Sequence, residues 1–145
     1  MRSKILATSG ELRTFAVILE TGDEIMASLQ SFAEAHKLTA AHFSAIGGLS
    51  HGVIGYFDWE KKEYLPIPVQ EQVEVAAFTG DVAISPEGKP AIHAHVVLGQ
   101  RSGAALAGHL KEGHVRPTLE IILTETPAHL HKKIDPDSGV ALIRL

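Results

Sequence analysis

The sequence predicts a single α+β domain in which a largely antiparallel, mixed sheet accompanies one early amphipathic helix. Three observations indicate this class: apolar and polar residues alternate with a period of two over most of the chain, one segment has a helical period, and the predicted strands are joined by connections of hairpin length. The chain has 145 residues, of which 45% are hydrophobic. This length suits one core and is too short for two, so residues 1–145 are expected to form one domain.

A strand and then the helix are predicted near the start of the chain. Residues 14–20 alternate and are rich in β-branched, aromatic and aliphatic side chains, which favours a strand. Thr21 and Glu24 have the spacing of a capping box. The apolar residues that follow keep a helical period as far as residues 36–37, whose basic character suits a helix C-terminus.

Strands and turns alternate over the remainder of the chain. Gly47 and Gly48 are expected to end the first of these strands, where the backbone bends or passes close to a neighbour. Residues 111–117 are expected to form a loop. The predicted strands span residues 41–46, 52–59, 69–79, 80–85, 91–98 and 118–124, with a hairpin through residues 99–103 and a last hairpin that pairs 130–134 with 140–145.

Three histidines between residues 91 and 110 have relative positions that follow from strand geometry. Side chains at i and i+2 of a strand point to the same face, so His93 and His95 are expected to lie side by side. A hairpin centred on Arg101 places His109 directly across from His93. The odd-numbered face then carries the three imidazoles beside small alanines, and the even-numbered face belongs to the core.

This arrangement predicts a metal site with His93, His95 and His109 as the ligands. Imidazole is the commonest side-chain metal ligand, and the chain has no cysteine. A purely nitrogen donor set suits zinc, nickel, copper or iron, and we expect a divalent transition metal, zinc foremost. Three protein ligands leave a position for water or a small-molecule ligand. The alternative is a histidine cluster with a structural role.

Other polar residues are weaker candidates. Glu120 is a candidate hydrogen-bond acceptor for a ligand histidine or a base for a metal-bound water, the alternative being a surface carboxylate paired with Arg13 or Arg116. His114 is a candidate fourth ligand or a solvated loop residue. His42 and His51, which flank Gly47 and Gly48, are expected to be ordinary polar positions of the sheet, the alternative being an approach to the histidine patch. His129 and His131 are expected to be exposed polar positions.

Composition and motifs exclude several classes of protein. A net charge of −4 argues against the broad basic surface that nucleic acids require. The sequence contains no apolar run long enough for a membrane span and no signal-peptide pattern, so we expect a cytoplasmic protein with no membrane partner. Phosphate-binding glycine loops do not occur in the sequence. Because no set of nucleophile, acid and base can be named, the sequence leaves open whether the protein is an enzyme.

The order of several short motifs resembles the plants-and-prokaryotes-conserved (PPC) domain. The resemblance runs from about residue 13 to the C-terminus. The motifs are Thr-Gly-Asp-Glu-Ile from residue 21, Ala-Ile-Gly-Gly from 45, Gly-Tyr-Phe-Asp from 55, Phe-Thr-Gly-Asp from 78, His-Ala-His-Val-Val-Leu-Gly from 93, Gly-His-Leu from 108 and Pro-Thr-Leu-Glu from 117.

The resemblance implies a homotrimer of α+β subunits. Prokaryotic members similar to this chain keep three histidines that match His93, His95 and His109. Plant members carry an AT-hook, the Arg-Gly-Arg-Pro segment that enters the minor groove of DNA, which this sequence lacks. A metal-binding homotrimer is therefore the leading hypothesis. A DNA-binding regulatory or architectural protein is the alternative, and a purely structural interaction module is the third.

Overall fold

Nine strands and one helix make up the part of the chain that the computed structural model describes, residues 1–126 and 128–145. All strands belong to one sheet, and their pairings are antiparallel apart from one parallel bridge between Ile84 and His131. The elements are β1 (Arg2–Ser9), β2 (Leu12–Glu20), α1 (Ile25–Ala35), β3 (Ala40–Asp58), β4 (Glu63–Val69), β5 (Val73–Ile84), β6 (Pro90–Gly99), β7 (Ala105–Glu125), β8 (His131–Ile134) and β9 (Ala141–Arg144). The predicted α+β class with a mainly antiparallel, mixed sheet is confirmed.

The sheet closes on itself through its two longest strands. β3 and β7 pair along most of their length, with three register shifts between residues 47 and 54 of β3. β5 pairs with the first half of β3, β6 pairs with β5, and β6 pairs in turn with the start of β7. These four strands form a closed circuit of hydrogen-bonded pairs. β2 and β1 extend it from β7, and β4 extends it from β3.

The core lies between the helix and the inner face of this sheet. The helix buries the apolar stripe that the sequence predicts, and the Phe32 ring meets Phe15 of β2 edge-on at 5.2 Å between centroids. Burial of this apolar surface is the main stabilising contribution to the fold. The stripe consists of Ile25, Leu29, Phe32 and Ala33.

The helix begins with a different cap from the one predicted. Glu24, rather than Thr21, is the N-cap residue, and its carboxylate accepts the backbone N–H groups of Met26 at 3.1 Å and Ala27 at 2.6 Å. It also accepts the N–H of Gly113 at 3.1 Å, which fixes the helix to β7. The prediction of a Thr21 capping box is therefore wrong, because Glu24 satisfies the free N–H groups of the first turn.

Three predicted interruptions are continuous strand. The predicted separate strands over 69–79 and 80–85 are one strand, β5, which passes through residues 79 and 80. β3 passes through Gly47 and Gly48, and β7 passes through the predicted loop at 111–117, where it pairs with β3. A Cβ on Gly47 would lie 2.2 Å from the carbonyl oxygen of Thr118, and one on Gly48 would lie 2.5 Å from that of Arg116. The predicted close approach at these glycines is thus confirmed, whereas the predicted strand end is wrong.

Candidate metal centre

β6 and β7 form the predicted hairpin, but in a register shifted by two residues. His95 pairs with His109, and Gly99 pairs with Ala105, so the turn is centred on Ser102. The prediction that His93 lies directly across from His109 is therefore wrong. Because side chains alternate with a period of two, the shift leaves each of them on its predicted face.

The structure brings the three histidines together on the outer face of the sheet. The ring centroids of His93 and His95 are 5.2 Å apart, those of His93 and His109 are 5.3 Å apart, and those of His95 and His109 are 5.5 Å apart. One nitrogen of each ring lies within 4.8 Å of the others, and small side-chain rotations bring three such atoms to one ion. The opposite face is buried in the core, as predicted, through Ala94, Val96, Leu98 and Leu110.

In the part of the chain that the structure describes, His109 is the member of the cluster that has a buried, unsatisfied ring nitrogen. Its Nδ1 atom is buried, and the described residues provide it with no hydrogen-bond partner. Burial lowers the pKa of His109 to about 4, and the nearby positive charges of His93, His95, Lys111 and Lys132 add to this effect. The imidazole is therefore neutral at pH 7. A neutral ring with an unpaired nitrogen is the form in which histidine binds a metal, so the residues fit a metal ion.

Asp81 on β5 orients His93, its cross-strand neighbour on β6. Asp81 Oδ2 lies 3.5 Å from His93 Nδ1, and Asp81 Oδ1 lies 3.1 Å from Lys132 Nζ. Burial alone would raise the pKa of Asp81, but the hydrogen bond from His93 and the contact with Lys132 hold it below its usual range. The carboxylate is ionised, and it leaves His93 Nε2 free to bind. A carboxylate behind a histidine ligand is a common feature of metal sites.

A cavity of about 560 Å³ lies directly against the three histidines. Its walls come from two hairpins that are distant in the sequence: the β3–β4 hairpin supplies aromatic rings, and the C-terminal β8–β9 hairpin supplies apolar side chains and one lysine. The sequence analysis did not predict this cavity or Asp81. Besides the histidines, the lining includes Phe57, Trp59, Tyr64, Ile92, Lys132, Asp135, Val140 and Leu142.

Glu120 lies elsewhere on the sheet. It is exposed, it is the cross-strand neighbour of Ile18 and Ile46, and it lines a separate groove. Its predicted alternative partner, Arg13, binds Glu125 instead, with Arg13 Nη2 2.8 Å from Glu125 Oε1. The structure therefore gives Glu120 a place outside the histidine cluster.

His114 belongs to a second cluster, which the sequence analysis did not recognise. Its ring stacks on that of His51 with centroids 4.3 Å apart, and its Nε2 lies 2.8 Å from Glu112 Oε1. One ligand atom from each of these three residues lies within 4.8 Å of the others. His51 and His114 are cross-strand neighbours on β3 and β7, so the prediction of a loop at His114 concealed this pair.

Three other histidines, His42, His129 and His131, occupy polar positions, as expected. His42 is exposed opposite Asp81 on β5, and His131 is exposed on β8. His129 Nδ1 lies 2.8 Å from the hydroxyl of Thr39. No helix in the described ranges, 1–126 and 128–145, has the length and hydropathy needed to cross a membrane.

The protein is a one-helix domain with a closed, mainly antiparallel sheet. Its candidate site is a three-histidine cluster beside a largely apolar cavity. The sequence model of the Plants and Prokaryotes Conserved (PCC) domain matches residues 6–127. The chain belongs to this family, which is the PPC family that the motifs resemble. A search of the curated proteins gave no match.

Solved structures support the same assignment. The chain is similar to a PPC protein from Pyrococcus horikoshii, with 31% identity over 96% of this chain and 99% of that one and a TM-score of 0.85. A protein from Ralstonia eutropha JMP134, provisionally described as DNA-binding, shares 30% identity over 90% of each chain, with a TM-score of 0.84. A protein from Archaeoglobus fulgidus, described as metal-containing, shares 29% identity over 100% of this chain and 99% of that one, with a TM-score of 0.83.

Proposed function

We propose that this protein is a homotrimer that binds a divalent transition metal, zinc foremost, through His93, His95 and His109. Two observations carry the proposal: His93, His95 and His109 each bring one ring nitrogen within 4.8 Å of the others, and the described residues offer no partner to the buried Nδ1 of His109. The description of the Archaeoglobus relative as metal-containing agrees with it. A divalent ion held by these three histidines would supply a Lewis-acidic centre beside the cavity.

The protein's own residues have distinct parts in this binding. His109 is held neutral by burial, so metal does not compete with a proton there at pH 7. Asp81 holds His93 in a binding orientation. His95 is the exposed member of the three and lies nearest to solvent. We propose binding and assign no reaction.

An exposed apolar surface supports assembly of the subunits. Ile46 is 61% exposed and Ile122 is 47% exposed, and both line one groove on the outer face of the sheet together with Ala76 and Ala77. Contiguous apolar surface of this kind favours contact with another protein surface, and we propose that a second copy of this chain covers it in the trimer.

Metal analysis of purified protein tests the metal site. After dialysis with zinc and removal of excess ion, inductively coupled plasma mass spectrometry should give about one zinc per chain for the wild type. The triple variant His93→Ala, His95→Ala, His109→Ala should lose this zinc. The matched control, His51→Ala with His114→Ala, removes the second histidine cluster and should retain it. Equal zinc in the triple variant and the wild type would refute the site.

A second candidate function is DNA binding, because the Ralstonia relative is provisionally described as DNA-binding. With a net charge of −4, the chain would need a local basic surface formed on assembly. Duplex DNA should then be retarded in an electrophoretic assay at low salt, with an affinity that falls steeply as salt rises. Unretarded DNA at low salt would eliminate this function.

A further inference from the structure

The cavity beside the histidine cluster has walls and charges that indicate its ligand. We propose that it binds a small monocarboxylate with an apolar, preferably aromatic body. The carboxylate is directed towards the histidine cluster and Lys132, and the body lies against the aromatic wall. This inference rests on the proposed metal site and names the ligand class of that site.

The size and walls of the cavity define the body of the ligand. Its volume of about 560 Å³ is in the range of small-molecule sites. Phe57 lies between two other rings, with its centroid 5.1 Å from that of Tyr64 and 6.1 Å from that of Trp59. Trp59 is 56% exposed, so a bound apolar body would remove aromatic surface from water.

Lys132 supplies a positive charge inside the cavity. Its side chain is only 5% exposed, and its Nζ lies 3.1 Å from Asp81 Oδ1. Lysine is seldom buried unless its charge is paired. The other oxygen of this carboxylate, Asp81 Oδ2, lies 3.5 Å from His93 Nδ1, and Lys132 lines the same cavity as the three histidines, so the charge lies beside the proposed metal ligands.

The charge balance of the cavity favours an anion. Of the described side chains that line it, Lys132 is paired with Asp81, and Asp135 is paired with Arg144 at 2.5 Å. These charges cancel in pairs. A divalent ion held by three neutral histidines would therefore leave excess positive charge in an apolar space, and the single negative charge of a carboxylate would reduce it.

The donor groups favour a carboxylate over a phosphate. One ammonium and one open coordination position are enough for the two oxygens of a carboxylate. A phosphate would leave further charged oxygens against aromatic walls, where an unpaired charge is costly. The nearby guanidinium of Arg144 is held by Asp135.

Tryptophan fluorescence provides a direct assay, because Trp59 is the only tryptophan in the chain and lines the cavity. Zinc-loaded protein should show a saturable fluorescence change with benzoate. Acetate, which lacks the body, and benzyl alcohol, which lacks the charge, should each bind at least about tenfold more weakly. Equal binding of benzyl alcohol and benzoate would overturn the proposal.

Variants of the cavity sharpen the test. Lys132→Gln should weaken benzoate binding about tenfold or more, Lys132→Arg should largely restore it, and Lys133→Gln, at the exposed neighbouring lysine, should leave it unchanged. Val140→Phe should place a ring in part of the cavity and weaken benzoate binding about tenfold or more, while the Lys132–Asp81 pair and the zinc content are retained. This variant keeps the test valid if Lys132→Gln fails to fold.

Zinc analysis on the same samples separates the two proposals. Full zinc occupancy without benzoate binding would overturn the ligand class and leave the metal site intact. Benzoate binding that depends on Lys132 in a protein that takes up no zinc would overturn the metal site alone. Failure of both measurements would overturn both proposals.

Discussion

At the scale of single residues, burial sets the protonation of the site. The pKa of His109 in the folded protein is about 4, below the ordinary value of 6.5, with burial as the largest cause. Between these two pH values the unfolded chain binds a proton that the folded chain does not bind. The free energy of unfolding therefore decreases as the pH falls through this window.

Urea unfolding of zinc-free protein at several pH values checks this effect. We predict that the His109 contribution is fully present above pH 6.5 and is lost progressively down to about pH 4. The variant His109→Gln cannot titrate and should flatten this part of the profile, whereas His42→Gln, at an exposed histidine, should reproduce the wild-type curve. Identical profiles for His109→Gln and the wild type would contradict the assigned pKa.

Asp81 carries a second prediction at this scale. Its carboxylate lies behind His93 and is ionised, so Asp81→Asn should weaken zinc binding by about 10- to 100-fold. Competition with a chelating dye measures this change. Asp137→Asn, at an exposed aspartate, is the control and should bind zinc as the wild type does. Unchanged affinity in Asp81→Asn would show that Asp81 does not support the ligand.

At the scale of strands, the site depends on close contact between β5 and β6. A Cβ on Gly80 would lie 2.3 Å from the carbonyl oxygen of His93 and 2.5 Å from Cζ of Phe43. We predict that Gly80→Ala lowers the free energy of unfolding by about 1–3 kcal/mol or more, measured by urea denaturation. Gly99 also lies where β5 and β6 pair, but a Cβ there would have its nearest contact at 3.8 Å. Gly99→Ala should therefore lower the free energy of unfolding much less. Equal losses would contradict this packing.

Strand patterns predicted the face of each histidine better than its partner. His93 and His95 share one face of β6 because side chains at i and i+2 of a strand point the same way, and the structure has both rings on that face. The partner of His109 depends on the turn, in which Gln100 N–H donates to the Ala104 carbonyl and Gly103 N–H to the Gln100 carbonyl. With this turn, the register differs by two residues from the predicted one, so each side chain of the hairpin stays on its predicted face.

Longer elements were harder to predict because pairing overrides local signals. Gly113 and Pro117 are typical loop residues, yet β7 continues through both since it pairs there with β3 and β2. β1 was not predicted, because all its residues are exposed and the alternation that marks a half-buried strand is missing. Asp81 and Lys132 meet His93 only through tertiary structure, so their spacing in the sequence gave no indication of it.

At the scale of the whole molecule, the proposed trimer is predicted to depend on the apolar groove of the outer face of the sheet. Light scattering coupled to size exclusion should give three times the 15.5 kDa chain mass. Ile122→Asp places a charge in the exposed apolar groove and should reduce the mass to that of a monomer. Ile134→Asp, at another exposed isoleucine on β8, is the matched control and should remain trimeric. A monomeric wild-type protein would refute the assembly.

The central claim is that His93, His95 and His109 bind one metal ion. Anomalous diffraction at the zinc edge, from crystals of zinc-loaded protein, tests it most directly. We predict one peak per chain at about 2.0–2.1 Å from a nitrogen of each of the three rings. No peak beside the three histidines, including the case in which the zinc lies between His51 and His114 instead, would contradict the claim.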